Sequence, residues 1–144
     1  MRKVIIYTDG ACKENPGLGG WSSILYFQGY KKKIYGQYKV TTNNQMELVA
    51  TINSIKYLNE PYNIKIITDS KYVHDGINRW VYIWKNKWVY YENNNVKNNK
   101  LWKRLYKVCQ RNKHFINWFW IKGHNFNKYN IKIDHLARKA MQNE

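Results

Sequence analysis

"NIKIITDS", Asn63–Ser70, is a short β-rich run that closes on an acid and then on a serine able to cap a helix. The helix it introduces carries Val73 and Ile77 one turn apart. An earlier run, "VIIYTDGA" (Val4–Ala11), begins with the strand formers Val4, Ile5, Ile6 and Tyr7; it too ends on an acid, Asp9, and stops at Gly10. Between the two, "TTNNQMELVATINSIKYL" (41–58) changes period, with Leu48, Val49, Ile52 and Ile55 at helical spacing. Thr42 followed by Gln45 fits a capping box and places the helix start near 42–44. Strand, helix, strand is the signature of a parallel pair with a crossover helix. The spacing therefore predicts an α/β fold in which the strands at 2–8 and 63–69 lie side by side.

Outward from this unit the chain stays regular. "KENPGLGG" (13–20) reads as a turn-rich loop. "WSSILYFQ" (21–28) and "KKIYGQYKV" (32–40), with Gly29 near the turn between them, read as two strands of an antiparallel meander. Residues 80–100 are aromatic and basic and end in an Asn-rich loop. "LWKRLYKVCQ" (101–110) is helical, "HFINWFWI" (114–121) is β-like, and "IKIDHLARKAMQ" (131–142) is a final helix with Ile133, Leu136, Ala137 and Ala140 inward. Neither an internal repeat nor a linker is visible, so 1–144 is expected to form one domain, with a protruding basic segment at about 80–100.

Composition narrows the function. Lys and Arg number 25 against nine Asp and Glu, a formal charge of +16, and a surface of that sign attracts a polyanion such as nucleic acid. No apolar run approaches the ~20 residues that span a bilayer. The amino-terminal "MRKVIIYTDG" lacks the apolar core and cleavage site of a secretory signal. Cys12 and Cys109 form no CxxC and suggest no disulfide framework, which makes the reducing cytoplasm the expected compartment.

A chain with so few acids can be sorted acid by acid. Glu14, Glu60, Asp75, Glu92 and Glu144 fall in loops, on exposed helix positions or at the terminus and read as solvated charges. Asp9 and Asp69 each close a β-rich run; in parallel neighbours they emerge at one sheet edge, where open α/β folds place their sites. Each alone is equally well a turn residue, since "TDG" and "TDS" are good turn sequences. Glu47 lies in the first turns of the helix that follows a strand, and Asp134 lies on the last helix. Converging carboxylates need neutralising, and hard oxygen donors favour Mg²⁺ or Mn²⁺, whereas four scattered histidines and two isolated cysteines do not suit zinc. Two such metals roughly 3.5–4 Å apart are a known solution for in-line displacement at phosphate. A basic surface around an acidic metal site points to a nuclease or a strand transferase.

Four segments in order, "YTDGACKENPGLGGW", "TTNNQMEL", "ITDSKYV" and "WIKGHNFNKYNIKIDHLA", resemble bacterial type 1 ribonuclease H over about residues 3–141. The resemblance implies a ribonuclease H-like fold, a five-stranded mixed sheet of three antiparallel strands followed by parallel ones, flanked by helices. It implies an endonuclease that cuts the RNA strand of an RNA–DNA hybrid and leaves 3′-hydroxyl and 5′-phosphate ends. By the same resemblance Asp9, Glu47, Asp69 and Asp134 would ligate two Mg²⁺, with Mn²⁺ as a substitute, and His124 would assist proton transfer or product release. Cys12, Asn15, Asn43 and Asn44 match positions that touch the RNA strand, where short polar groups reach 2′-hydroxyls. Trp80 and Trp84 match the groove for the DNA strand, while Thr42 and Asn98 match a pocket for a DNA phosphate.

This sequence departs from the family pattern at several points. Val40 stands where the phosphate pocket often has Arg, with Lys39 adjacent as a potential substitute; Phe126 stands where the histidine loop often has Gly, Ile131 at a commonly acidic position, and Lys71 replaces an uncharged neighbour of Asp69. None of these removes a proposed metal ligand. A monomer with no membrane association is expected, with no room for an added hybrid-binding module. Two alternatives stand beside the nuclease. A strand transferase of the same superfamily would need added DNA-binding domains. A hybrid-binding module with weakened catalysis would differ from the enzyme only in failing to cut.

Overall fold

The computed structural model describes residues 1–79 and 98–122. The basic segment from 80 to 97, the loop carrying His124 and the helix expected over 131–142 lie outside the described residues. Five strands form one sheet in the order β3-β2-β1-β4-β5, with β1 Arg2–Cys12, β2 Gly17–Phe27, β3 Tyr30–Thr41, β4 Tyr62–Thr68 and β5 Phe115–Trp120. β1, β2 and β3 are antiparallel, whereas β4 runs parallel to β1 and β5 parallel to β4. This is the mixed sheet that the resemblance implied. The helices are α1, Asn43–Tyr57; α2, over 71–79; and α3, Asn99–Arg111.

The crossover works as the apolar spacing requires. Leu48, Ile52 and Ile55 of α1 pack on Val4 and Ile6 of β1 and on Ile64 and Ile66 of β4, and Val73 and Ile77 of α2 and Trp102, Leu105 and Val108 of α3 complete the same cluster. Burying each such side chain contributes about 1.5–3 kcal/mol, so this cluster fixes α1 across the parallel pair. A small hydroxyl ties α1 to β2 as well: Ser23 of β2 donates to the Ala50 carbonyl of α1 at 3.2 Å. A smaller cluster of Tyr7 and Ile24, with Tyr26 and Ile67 beside it, occupies the other sheet face.

Two boundaries differ from the reading of the sequence. β1 does not stop at Gly10; it continues to Cys12, paired with Gly19–Trp21. β2 starts at Gly17 and so absorbs half of the stretch read as a loop. The glycines there are strand residues because neighbouring chain comes too close for a side chain: a Cβ on Gly19 would collide with Thr41 Cγ2 and the Ala11 carbonyl. The helix cap also differs in part. Thr42 Oγ1 accepts from the Gln45 N–H at 3.2 Å, as expected, but the Gln45 side chain does not return to Thr42. It reaches across to Asn98 instead.

At the far end, the Tyr62 N–H that opens β4 donates to His114 Nδ1 at 3.1 Å. Burial lowers the His114 pKa below the ordinary 6.5. The unfolded chain therefore takes up this proton at a higher pH than the folded one. Stability should fall as pH drops below about 6.5 and level off below the folded value, because the burial that disfavours the charged imidazole acts only in the folded chain. Urea midpoints between pH 7.5 and 5 should trace that loss, and the His114→Asn variant should show a flatter acid limb.

Candidate metal centre

The parallel register brings the two strand-end acids together. Thr8 pairs with Thr68 at the last step of the β1–β4 ladder, so Asp9 and Asp69 are the next residue on each strand. Asp9 is not at the tip of β1 but at the point where β1 parts from β4 and stays paired with β2 alone. Asp69 sits in the turn to α2, held on both sides. Ser70 N–H donates to Thr68 Oγ1 at 3.0 Å, and Ser70 Oγ accepts from Val73 N–H at 3.1 Å as the cap of α2. The Trp120 indole N–H donates to the Asp69 carbonyl at 3.1 Å, and the Ile121 N–H to Thr68 O at 2.9 Å.

The third acid arrives from above. Glu47 lies in the second turn of α1, which rests directly on Gly10. A Cβ built on Gly10 would lie 2.5 Å from Glu47 N, 2.6 Å from Met46 C and 2.7 Å from Met46 Cβ. Only a glycine beside Asp9 lets the helix come down far enough for Glu47 to reach the strand acids. One carboxylate oxygen each from Asp9, Glu47 and Asp69 then lie within 4.8 Å of one another. Asp9 is 2% and Glu47 8% exposed.

The energetics of that trio are unfavourable on their own. Two unit charges at 4.8 Å repel by roughly 3.5 kcal/mol at an effective dielectric near 20. Three hard oxygen donors, close and shielded, fit a hard divalent cation. Away from the trio, on α3, burial pushes the Cys109 thiol up to about 12, so it stays protonated.

Among the described residues, Cys12, Asn15, Thr42, Asn43, Asn44 and Asn98 gather at the same sheet end. Asn15 Oδ1 accepts from the Asn43 N–H at 2.9 Å, joining the β1–β2 turn to the start of α1. Cys12 Sγ lies 2.6 Å from the Glu14 carbonyl and 3.3 Å from that of Thr41. Thr42 and Asn44 are half-buried and Asn43 is exposed along the first turn of α1, and Asn98 stands at the start of α3. Asp134, His124, Trp80 and Trp84 lie outside the described residues. Gly10 and Trp120 were missed by sequence reasoning. A glycine inside a strand signals close approach of another backbone, but at Gly10 it read as the end of the strand.

The ribonuclease H family model matches residues 1–142. The chain belongs to the ribonuclease H family. Its motif order is that of the type 1 branch. The ribonuclease H of Wolbachia pipientis wMel is 51% identical over 141 residues, covering 97% of this chain and 96% of the relative. That of Francisella tularensis subsp. novicida strain U112 is 50% identical over 140 residues, covering 96% and 91%. Among solved structures the fold is similar to LC9-RNase H1, described as a type 1 RNase H with the type 2 active-site motif (TM-score 0.86, 24% identity, 99% of this chain and 73% of that one). It is also similar to LC11-RNase H1 in complex with RNA/DNA hybrid (TM-score 0.69, 20% identity, 97% of each). In this ribonuclease H, no helix among the described residues is long and apolar enough to cross a membrane.

Proposed function

We propose that this chain is an endonuclease that hydrolyses the RNA strand of RNA–DNA hybrids, leaving 3′-hydroxyl and 5′-phosphate ends. The observation that carries the reading is the convergence of Asp9, Glu47 and Asp69 within 4.8 Å in a chain of this family. Asp9, Glu47 and Asp69, together with Asp134, would hold two Mg²⁺, for which Mn²⁺ could substitute. When bound, the metal supplies Lewis-acid stabilisation of charge at the scissile phosphate. The protein's part is to keep its carboxylates fixed: Asp9 by pairing on β2, Asp69 by the Trp120 and Ile121 clamp, Glu47 by the seat of α1 on Gly10. His124 moves a proton or assists product release.

The polar cluster of Cys12, Asn15, Asn43 and Asn44 contacts the RNA strand, where 2′-hydroxyls separate RNA from DNA. Trp80 and Trp84 line the path of the DNA strand, and Thr42 and Asn98 receive one of its phosphates. The formal +16 charge supplies the general attraction for the duplex. Residues 1–144 act as one catalytic domain, monomeric and cytoplasmic, with the segment at about 80–100 as a basic grip.

One end-labelled RNA, offered alone, paired with RNA and paired with DNA, tests the activity. Mg²⁺-dependent cutting of the DNA-paired form only is the expected result, abolished by chelator and restored by Mg²⁺ or Mn²⁺. Hybrid binding without cutting in either metal would instead indicate a hybrid-binding module with weakened catalysis.

A further inference from the structure

A chain of side-chain hydrogen bonds joins the starts of α1, α2 and α3. Thr41 Oγ1 donates to Gln45 Oε1 at 3.0 Å, and Gln45 Nε2 donates to Asn98 Oδ1 at 3.2 Å. Asn98 Nδ2 donates to the Tyr72 hydroxyl at 3.0 Å, which also accepts from the indole of buried Trp102 at 2.9 Å. The chain runs in one direction, so each amide has one favoured orientation. A flipped Asn98 would set its NH₂ against that of Gln45. Asn98 stands at the cap position of α3 with φ 63°, a left-handed conformation that Asn tolerates, yet its side chain makes no capping hydrogen bond. The side chain is committed to the crosslink.

We infer that Gln45 and Tyr72 are positioning residues for the DNA strand, holding the Asn98 carboxamide so that its remaining N–H faces a backbone phosphate; the inference rests on the assignment of Thr42 and Asn98 as the phosphate pocket. A carboxamide has two N–H donors and Tyr72 takes one. Thr42 Oγ1 accepts from the Gln45 backbone and keeps its own O–H to donate. Gln45 thus fixes both pocket residues, Thr42 through its main chain and Asn98 through its side chain. Orientation matters here because Val40, 75% exposed, brings no charge of its own where the family often has Arg, and the adjacent Lys39 is the neighbouring cation on β3. A neutral donor must point at its acceptor, whereas a cation attracts from any direction.

The test uses the full chain, hybrids with a single methylphosphonate placed in turn along the DNA strand, and the variants Gln45→Leu, Tyr72→Phe and Asn98→Ala. The native enzyme should show one linkage where methylphosphonate raises KM about fivefold with kcat within about twofold. Gln45→Leu should raise KM on the unmodified hybrid by a similar factor and lose sensitivity to that linkage, as Asn98→Ala does, with a cooperative melting transition showing that the fold survives loss of the Thr41 hydrogen bond. Tyr72→Phe should behave likewise, whatever stability it loses at Trp102. If Asn98→Ala loses the sensitivity while Gln45→Leu and Tyr72→Phe keep it, the phosphate pocket stands and the positioning role is overturned. If the native enzyme has no sensitive linkage, or Asn98→Ala keeps it, the pocket assignment fails and the positioning role fails with it.

Discussion

Asp9→Asn should lower kcat on an RNA–DNA hybrid by about 10³-fold or more, a transition-state loss of at least ~4 kcal/mol. The substitution keeps the size of the side chain and its place in the β1–β2 ladder, opposite Ser22. It removes one charge from a trio whose oxygens lie within 4.8 Å. Repulsion of roughly 3.5 kcal/mol per pair is relieved, so the metal-free variant should melt no lower than the native chain and is expected to melt higher. Added Mg²⁺ or Mn²⁺ is expected to stabilise the native protein, and that shift should be lost with the same substitution. Hybrid binding should persist, because the groups proposed to grip the duplex are elsewhere. Scanning calorimetry with and without metal, beside single-turnover cleavage, separates these effects. Cutting near the native rate, or a metal-induced shift as large as the native one, would remove Asp9 from the metal centre.

The route to that centre was largely legible in the residues, for a reason that can be named. Side-chain burial and register in a parallel pair follow from the crossover helix, and the crossover was visible as a change of period between 41–58 and the flanking runs. Once β1 and β4 are neighbours, Thr8 and Thr68 fall opposite one another and the two following acids must meet. Ser70 as the cap of α2 needed only local chemistry, and it caps as expected. What escaped the sequence depends on contacts between segments. Gly17–Gly20 read as a loop because glycine has low strand propensity; the structure uses its missing Cβ to bring β2 against the end of β3. Gln45 fits a capping box by spacing, yet Asn98, 53 residues away, outcompetes its own cap for the side chain. Trp120 gave no sign that its indole would reach the Asp69 carbonyl, since that contact depends on the β4–β5 register, which sets Trp120 beside Thr68.

Gly10→Ala should damage stability and catalysis together. The added Cβ meets backbone atoms, Glu47 N at 2.5 Å and Met46 C at 2.6 Å, which cannot swing aside as a flexible side chain would. Either β1 or the start of α1 must move, and both carry acids of the trio. Overpacking usually costs about 1–3 kcal/mol, and a clash against main chain belongs at or above the upper end of that range. The displacement lifts Glu47 from Asp9 and Asp69. A shift of about 1 Å in a positioned group can cost on the order of 10²-fold in rate. The metal concentration for half-maximal activity should rise with it, which general destabilisation of a still-folded enzyme would not produce. Gly29→Ala provides the comparison. Gly29 has φ +95°, so alanine there is strained, but nothing lies within 4 Å of its Cβ and it sits in the β2–β3 turn beyond Phe27, which pairs with Val4 and not with Asp9. That variant should lose about 1 kcal/mol or somewhat more while keeping native activity and metal dependence. Loss of activity in Gly10→Ala with an unchanged metal requirement would mean that α1 does not set the Glu47 carboxylate through Gly10. Equal losses of activity in the two variants would trace the effect to stability alone.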